Sequence, residues 1–113
     1  MANAMVIYDG PGPLPKRASF DAPSDGPVVF VLSGTSRTSS SPVLTGINLS
    51  LDGNFIGTAA MCWQNNNDNH MAMRTTLIPF NSLRFGTHTI EINNANSNTI
   101  TDVNDYFQVT LLY

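Results

Sequence analysis

Short runs of alternating apolar and polar residues recur about every 10 to 15 residues along the chain, with Gly, Pro, Asn and Ser between them. Alternation with a period of two is typical of β-strands, and helical periodicity of useful length appears nowhere. The pattern predicts eight strands, near residues 4–8, 16–20, 27–33, 43–51, 55–63, 70–79, 86–93 and 106–113. Short strands at this spacing indicate an all-β sandwich or barrel.

The clearest pairing signal is Leu51-Asp-Gly-Asn-Phe55, which places Asp-Gly between two alternating runs. Asp-Gly favours the tight turn of a two-residue hairpin, so the strands on either side of it are predicted to pair. Residues 27–33 are apolar at nearly every position, as expected of a central strand covered on both sides. The closing strand has one strongly apolar face, and it is predicted to be central in a sheet or buried by a partner subunit. That face consists of Phe107, Val109, Leu111 and Tyr113.

Two further segments give predictions of which side chains share a face. In residues 70–79, Met71, Met73 and Leu77 are predicted to lie on one face of a single strand. Residues 80–85 are predicted to be a connection, with one helical turn as an option. In the strand that follows, His88, Ile90 and Ile92 are in phase, which predicts an inward position for the histidine ring.

Composition supports one β-rich domain. The chain has 113 residues, close to the commonest size of a domain, so residues 1–113 are predicted to form one unit. Hydrophobic residues make up 42% of the chain, enough for one core, while charged residues make up only 12%. Uncharged polar residues, including thirteen asparagines, fill the surface instead. Asn, Ser and Thr favour turns and strands over helix interiors.

Charge and cysteine content exclude several classes of function. The five Lys and Arg residues are scattered and the net charge is −3, so nucleic acid is not a predicted partner. No apolar stretch approaches the length of a membrane span, so membrane insertion is not predicted. The single Cys62 excludes an intramolecular disulfide. The N-terminus has no signal-peptide pattern, so cytoplasmic synthesis is expected, with release by lysis or a leaderless route left open.

The polar loop that follows the predicted strand 55–63 is the first candidate binding site. A sugar offers hydroxyl groups to amide, carboxylate and guanidinium partners, and it offers a C–H face to an aromatic ring. A loop on a rigid sheet can supply both kinds of group. The alternative is a solvated hairpin tip with the tryptophan in the core. The candidate ligand-binding residues here are Trp63, Asn65, Asn67, Asp68, His70 and Arg74.

The second polar loop, residues 94–105, adds Asn104 and Tyr106 to the candidate binding residues. It also brings together Asp102, Asn104 and Asp105, whose side-chain oxygens suit calcium. The match to a calcium-binding loop is partial, and Asp and Asn also serve as ordinary turn residues. Calcium is therefore the one cofactor considered, and otherwise none is predicted.

Catalysis would have to use His70, His88 and Glu91, which are the two histidines and the one glutamate of the chain. A serine nucleophile would need a motif such as G-x-S-x-G, and the sequence contains none. Two histidines without a further spaced ligand make a weak zinc site. The sequence therefore predicts a protein that is not an enzyme.

Three segments of the second half are similar to the closing strands of small bacterial jelly-roll modules, many of which bind carbohydrate. The segments are Leu51-Asp-Gly-Asn-Phe-Ile-Gly-Thr58, Phe85-Gly-Thr-His-Thr-Ile-Glu-Ile92 and Thr101-Asp-Val-Asn-Asp-Tyr-Phe-Gln-Val-Thr-Leu-Leu112. With the strand pattern, the resemblance implies an eight-strand antiparallel β-sandwich of the jelly-roll kind. It also implies a non-enzymatic, lectin-like function with a glycan as ligand.

The surplus of Met, Phe, Tyr and Trp in so small a chain favours a homo-oligomer, either a trimer or a dimer. An oligomer would let a weak sugar site gain avidity by repetition. The alternative function is a structural or assembly protein of a phage-like or other particle, in which the apolar strands make contacts between subunits.

Overall fold

The alternating segments form nine β-strands in the computed structural model, which describes residues 3–113. The strands are β1 (Ala4–Pro11), β2 (Lys16–Ala22), β3 (Gly26–Ser36), β4 (Val43–Leu51), β5 (Asn54–Gln64), β6 (Met71–Ala72), β7 (Thr76–Leu83), β8 (Gly86–Asn94) and β9 (Tyr106–Leu112). Within the described residues there is no helix long and apolar enough to cross a membrane. The prediction of an all-β fold is confirmed.

The strands pair like one long antiparallel hairpin that has been rolled up. β1 pairs with β9, β2 with β8, β3 with β7 and β4 with β5. Rolling distributes these pairs over two sheets, β1-β9-β3-β7 and β2-β8-β4-β5, which face each other across the core. This is the predicted jelly-roll sandwich, built from eight principal strands. The ninth is the two-residue β6, which extends the first sheet by pairing with Thr35 and Ser36.

The predicted turn between β4 and β5 is confirmed at Asp52 and Gly53. Both residues have positive φ, 50° and 87°, as the type I′ turn of a two-residue hairpin requires. The turn is also held to β8, because the Asp52 amide donates to the Thr89 carbonyl (2.8 Å) and the Thr89 amide donates to Asp52 Oδ1 (2.9 Å).

The His88 ring faces inward, as its phase with Ile90 and Ile92 predicted, and it packs against the buried Phe20 with the ring centroids 5.8 Å apart and the rings tilted by 30°. Nδ1 lies 2.6 Å from Asp52 Oδ2 and Nε2 lies 2.7 Å from the Arg84 carbonyl, so both ring nitrogens face acceptors. Only the protonated ring can donate to both. The hydrogen bond to Asp52 accordingly raises the pKa of His88. Partial burial opposes the charge of Asp52, but the hydrogen bonds from His88 and Thr89 outweigh it and lower the pKa of Asp52.

The core is made by alternate residues of the central strands. In β3, which lies between β9 and β7, the side chains of Val28, Phe30 and Leu32 are buried, so its central position is confirmed. The prediction that β3 is covered on both sides is wrong, since Val29 and Val31 on its outer face are only partly buried. In β9, Phe107, Val109 and Leu111 are fully buried, and the strand is central between β1 and β3.

The segment 70–83 departs from its prediction. It is two strands, because residues 73–75 leave the sheet: the Met73 amide donates to the Gly34 carbonyl and the Arg74 amide donates to the Met61 carbonyl. The break changes the phase of the side chains, so Met73 is buried (4% exposed) whereas Leu77 is 64% exposed. The predicted connection at 80–85 is also wrong, since β7 continues to Leu83.

Because successive strands run in opposite directions, their connections gather at two ends of the sandwich. One end carries the short turns at residues 52–53 and 84–85. The other end carries the loops 37–42, 65–70 and 95–105, which we call the loop end. Both Asn-rich loops of the sequence therefore lie at the same end of the molecule.

Candidate functional site

The two Asn-rich loops are joined by Arg37, which lies just after β3. Its Nη1 is 2.8 Å from Asp68 Oδ1 in the first loop, and its Nε is 3.3 Å from Asp102 Oδ2 in the second. Backbone hydrogen bonds reinforce the connection: Arg37 and Ile100 exchange two, and the Asp68 amide donates to the Thr38 carbonyl. The loop end is therefore one connected structure rather than a set of free loops.

Asp105 is the buried centre of the loop end, with 1% of its surface exposed. Its Oδ1 accepts a hydrogen bond from Thr35 Oγ1 (2.8 Å) and lies 2.7 Å from His70 Nδ1. Its Oδ2 accepts from the Asp102 amide (2.8 Å). One carboxylate thus fastens β3, the first Asn-rich loop and the second loop together.

The donor set at the loop end can be compared with what a metal ion requires. Ligand atoms of His70, Asp102 and Asp105 lie within 4.8 Å of one another. However, Arg37 already supplies a positive charge to Asp102, and the Asn104 amide donates to Asp102 Oδ1. The hydrogen bond from the Asn104 amide, together with the hydrogen bond from Arg37, lowers the pKa of Asp102. Calcium at Asp102, Asn104 and Asp105 stays a prediction, and the ion would have to displace both Arg37 and His70.

Trp63 lies away from this cluster, on the outward side of β5. Its side chain is half exposed (51%), which excludes the alternative of a tryptophan in the core. Its Nε1 donates to Asn65 Oδ1 (2.6 Å), and Leu44 is its partner across the β4–β5 ladder. The hydrogen bond fixes the ring while leaving it accessible.

A groove of about 580 Å³ runs beside Trp63, between the edge strands β5 and β7 of the two sheets. Arg74 lies on its lining, where its backbone amide donates to the Met61 carbonyl (3.1 Å). No carboxylate pairs with the Arg74 guanidinium within residues 3–113. We call this the Trp63 groove, and its lining is completed by Leu44, Thr58, Ala59, Met61, Cys62, Thr75, Thr76 and Leu77.

The structure thus divides the predicted binding residues into groups. Trp63, Asn65 and Arg74 lie at or beside the groove. The loop end holds Asn67, whose Oδ1 accepts from the Ser41 amide, together with Asp68, His70 and Asn104. Tyr106 borders the loop end at the start of β9, where its amide donates to Thr35 Oγ1 (3.3 Å). Its side chain is exposed, and a hydrogen bond with Asp9 raises its pKa.

The sequence did not indicate the structural roles of Arg37 and Leu77. Arg37 is the one charged residue in a Ser/Thr loop of the sequence, and nothing in its spacing indicates two acidic partners 31 and 65 residues away. Leu77 was predicted to share a face with Met71 and Met73, but it is exposed and lines the groove, whereas Met73 is buried. Cys62 also lines the groove, and burial raises the pKa of its thiol, which keeps it protonated at neutral pH.

Solved structures of known proteins are similar to this chain. A family 35 carbohydrate binding module from Clostridium thermocellum matches with a TM-score of 0.52 at 10% identity, over 96% of this chain and 90% of that one. Dimeric latent PorU from Porphyromonas gingivalis matches with a TM-score of 0.52 at 17% identity, over 87% of this chain and 10% of that one. A Paenibacillus sp. cycloisomaltooligosaccharide glucanotransferase complexed with cycloisomaltoheptaose matches with a TM-score of 0.49 at 16% identity, over 85% of this chain and 12% of that one.

No protein-family model matches the sequence, and no curated protein is detectably similar to it. The chain spans only about a tenth of the PorU chain and little more of the glucanotransferase. At identities this low, a likeness of structure shows the fold alone. The chain has the β-sandwich fold that a carbohydrate-binding module also has.

Proposed function

We propose that the protein is a non-enzymatic carbohydrate-binding module that holds its sugar in the Trp63 groove. The observation that carries the proposal is the accessible indole ring of Trp63, fixed by Asn65 at the side of a groove. The C–H face of a sugar packs on such a ring, and a ring that is already fixed loses little conformational freedom on binding.

The polar groups of the groove suit the hydroxyls of a sugar. Arg74 supplies a guanidinium, and Thr75 and Thr76 supply hydroxyl groups. The Thr76 hydroxyl already donates to the Arg74 carbonyl (3.0 Å), so it is left to act as an acceptor for a ligand. A volume of about 580 Å³ lies within the range of small-ligand sites.

The loop end is less suited to binding a sugar, although the sequence drew attention to it. The carboxylates of Asp102 and Asp105 and the guanidinium of Arg37 are already engaged in hydrogen bonds within the protein. A ligand would have to break these bonds before making its own, and an unmade buried hydrogen bond costs about 1–3 kcal/mol. The shared fold with a carbohydrate binding module is a further, weaker support for the proposal.

Replacing Trp63 with alanine tests the proposal. We expect the wild-type protein to bind a subset of sugars on a glycan array, and Trp63→Ala to weaken binding to them by roughly tenfold or more, measured by titration calorimetry. Phe85→Ala is the matched control, because Phe85 is also exposed (71%) but lies on the β7–β8 turn at the other end of the sandwich. No binding by the wild-type protein at high concentration, or equal losses in both variants, would contradict the proposal.

A second candidate function, assembly with other copies of the chain, is favoured by the outer face of the sheet β1-β9-β3-β7. The strand register places two adjacent rows of uncharged side chains on this outer face, each row crossing all four strands. The rows are Ala4, Leu112, Val29 and Pro79, and Val6, Thr110, Val31 and Leu77. From the spacing of strands the rows cover on the order of 300 Å², against the ~800 Å² per partner of a stable interface. The face therefore supports weak association only.

Light scattering across a range of concentrations tests this candidate. We expect a monomer at micromolar concentration and a dimer that forms only at roughly several hundred micromolar, because the uncharged face is too small for tight association. Val31→Lys should abolish the dimer, since it puts a charge at the centre of the face without touching the groove. A stable dimer or trimer at micromolar concentration that survives Val31→Lys would show that this face is not the interface.

A further inference from the structure

The Trp63 groove carries one formal charge in its lining, and that charge is positive. Arg74 lies there among apolar residues and threonines, and neither aspartate nor glutamate is among the lining residues. The chain as a whole carries a net charge of −3. The groove is therefore a positive spot on a mildly acidic protein.

The guanidinium of Arg74 has no partner among residues 3–113, unlike those of Arg17 and Arg37. Arg17 pairs with Glu91 at 2.8 Å, and Arg37 pairs with Asp68 at 2.8 Å. The backbone of Arg74 is nevertheless fixed, since its amide donates to the Met61 carbonyl and its carbonyl accepts from the Thr76 hydroxyl. An arginine that is anchored in this way but unpaired keeps its five N–H donors available for a ligand.

We infer that the ligand of the groove is an acidic glycan, whose sugar rings carry carboxylate or sulfate groups. The inference rests on the proposed function and names its substrate class. The planar guanidinium makes two parallel hydrogen bonds to an anionic group, and such charge-assisted bonds are about twice as strong as neutral ones. An acidic sugar stacked on Trp63 would place its anionic group against the lining of the groove, where no carboxylate repels it. A neutral sugar would gain only ordinary hydrogen bonds from Arg74.

The test compares polymers that share a backbone and differ in charge. Polygalacturonate is compared with the same polymer after methyl esterification of its carboxyl groups, and dextran sulfate with uncharged dextran. We expect the wild-type protein to bind at least one acidic polymer about tenfold more tightly than its uncharged counterpart, measured by titration calorimetry at fixed salt. Which acidic polymer binds distinguishes carboxylate from sulfate.

Arg74→Gln should weaken binding of the acidic polymer about tenfold and binding of the uncharged polymer much less, because the uncharged polymer loses only ordinary hydrogen bonds. Arg84→Gln is the matched control: it changes the net charge equally, and Arg84 forms no ion pair within the described residues and lies on the β7–β8 turn. Arg74→Lys, which keeps the charge but not the planar fork, should bind with intermediate affinity. Thermal melting confirms that each variant folds.

Three outcomes would overturn the inference. Equal weakening in Arg74→Gln and Arg84→Gln would mean that overall charge, and not the groove, attracts the polymer. Equal or tighter binding of the uncharged polymers, still lost in Trp63→Ala, would overturn the acidic ligand and leave the carbohydrate-binding proposal standing. Binding to no glycan of either kind would overturn both.

Discussion

Replacing Asp105 with alanine is expected to lower the free energy of unfolding by about 3 kcal/mol. The side chain is buried, and its two oxygens serve Thr35 Oγ1, His70 Nδ1 and the Asp102 amide. Alanine would leave all three groups without their acceptor in a site that water does not reach freely. The loop end would lose its centre, while the groove beside Trp63 would keep its lining.

Urea denaturation measures this loss, and the neighbouring Asn104→Ala is the control. The Asn104 side chain is exposed, so its removal should change stability by less than about 0.5 kcal/mol. Asp105→Asn should fall between the two, because its amide oxygen can still accept from Thr35 but its NH₂ group then faces the Asp102 amide. Repeating the measurement with calcium tests the predicted calcium site, since an ion that binds only the folded state raises stability. A cost below about 1 kcal/mol for Asp105→Ala would contradict the role given to this carboxylate.

The fold could be predicted from the sequence where the signal is local. The Asp-Gly turn specifies the β4–β5 hairpin through the positive φ of two adjacent residues, and no distant contact is needed to recognise it. Alternation likewise specified the buried faces of β8 and β9. Where alternation is interrupted, as at residues 73–75, the phase depends on backbone hydrogen bonds to Gly34 and Met61, which lie far away in the sequence.

The site was harder to predict because burial in β5 runs against hydrophobicity. Trp63 faces outward and the adjacent Gln64 is fully buried. The NH₂ group of Gln64 is satisfied, since Nε2 donates to the Ser36 carbonyl (3.0 Å) and to Thr45 Oγ1 (3.1 Å), whereas Oε1 has no partner among the described residues. Ser36 lies on β3, a strand that the sequence does not place beside Gln64. A polar residue next to a tryptophan reads as the start of a loop, so the exposure of Trp63 could not be decided from the sequence.

The packing beneath the loop end depends on close approach between Phe107 and Gly34, which are paired across β9 and β3. A Cβ atom at Gly34 would overlap Cδ1 of the Phe107 ring and lie 3.0 Å from Ile47 Cδ1. Since Thr35 is the next residue of β3 and Arg37 lies just after the strand, any shift of β3 here also moves the partners of Asp105 and Asp68. The glycine is therefore required by contact with the ring and not by its own backbone conformation.

Gly34→Ala is expected to lower the free energy of unfolding by about 2–3 kcal/mol, because the core must shift to admit one methyl group. A double-mutant cycle with Phe107→Leu tests the cause: removing the ring should itself be destabilising, but in that background Gly34→Ala should cost less than about 1 kcal/mol. Gly53→Ala is the comparison, since its φ is positive but a Cβ there meets no atom within 4 Å; its cost should not change with Phe107→Leu. If Gly34→Ala costs the same with and without the ring, contact with Phe107 is not what requires glycine at this position.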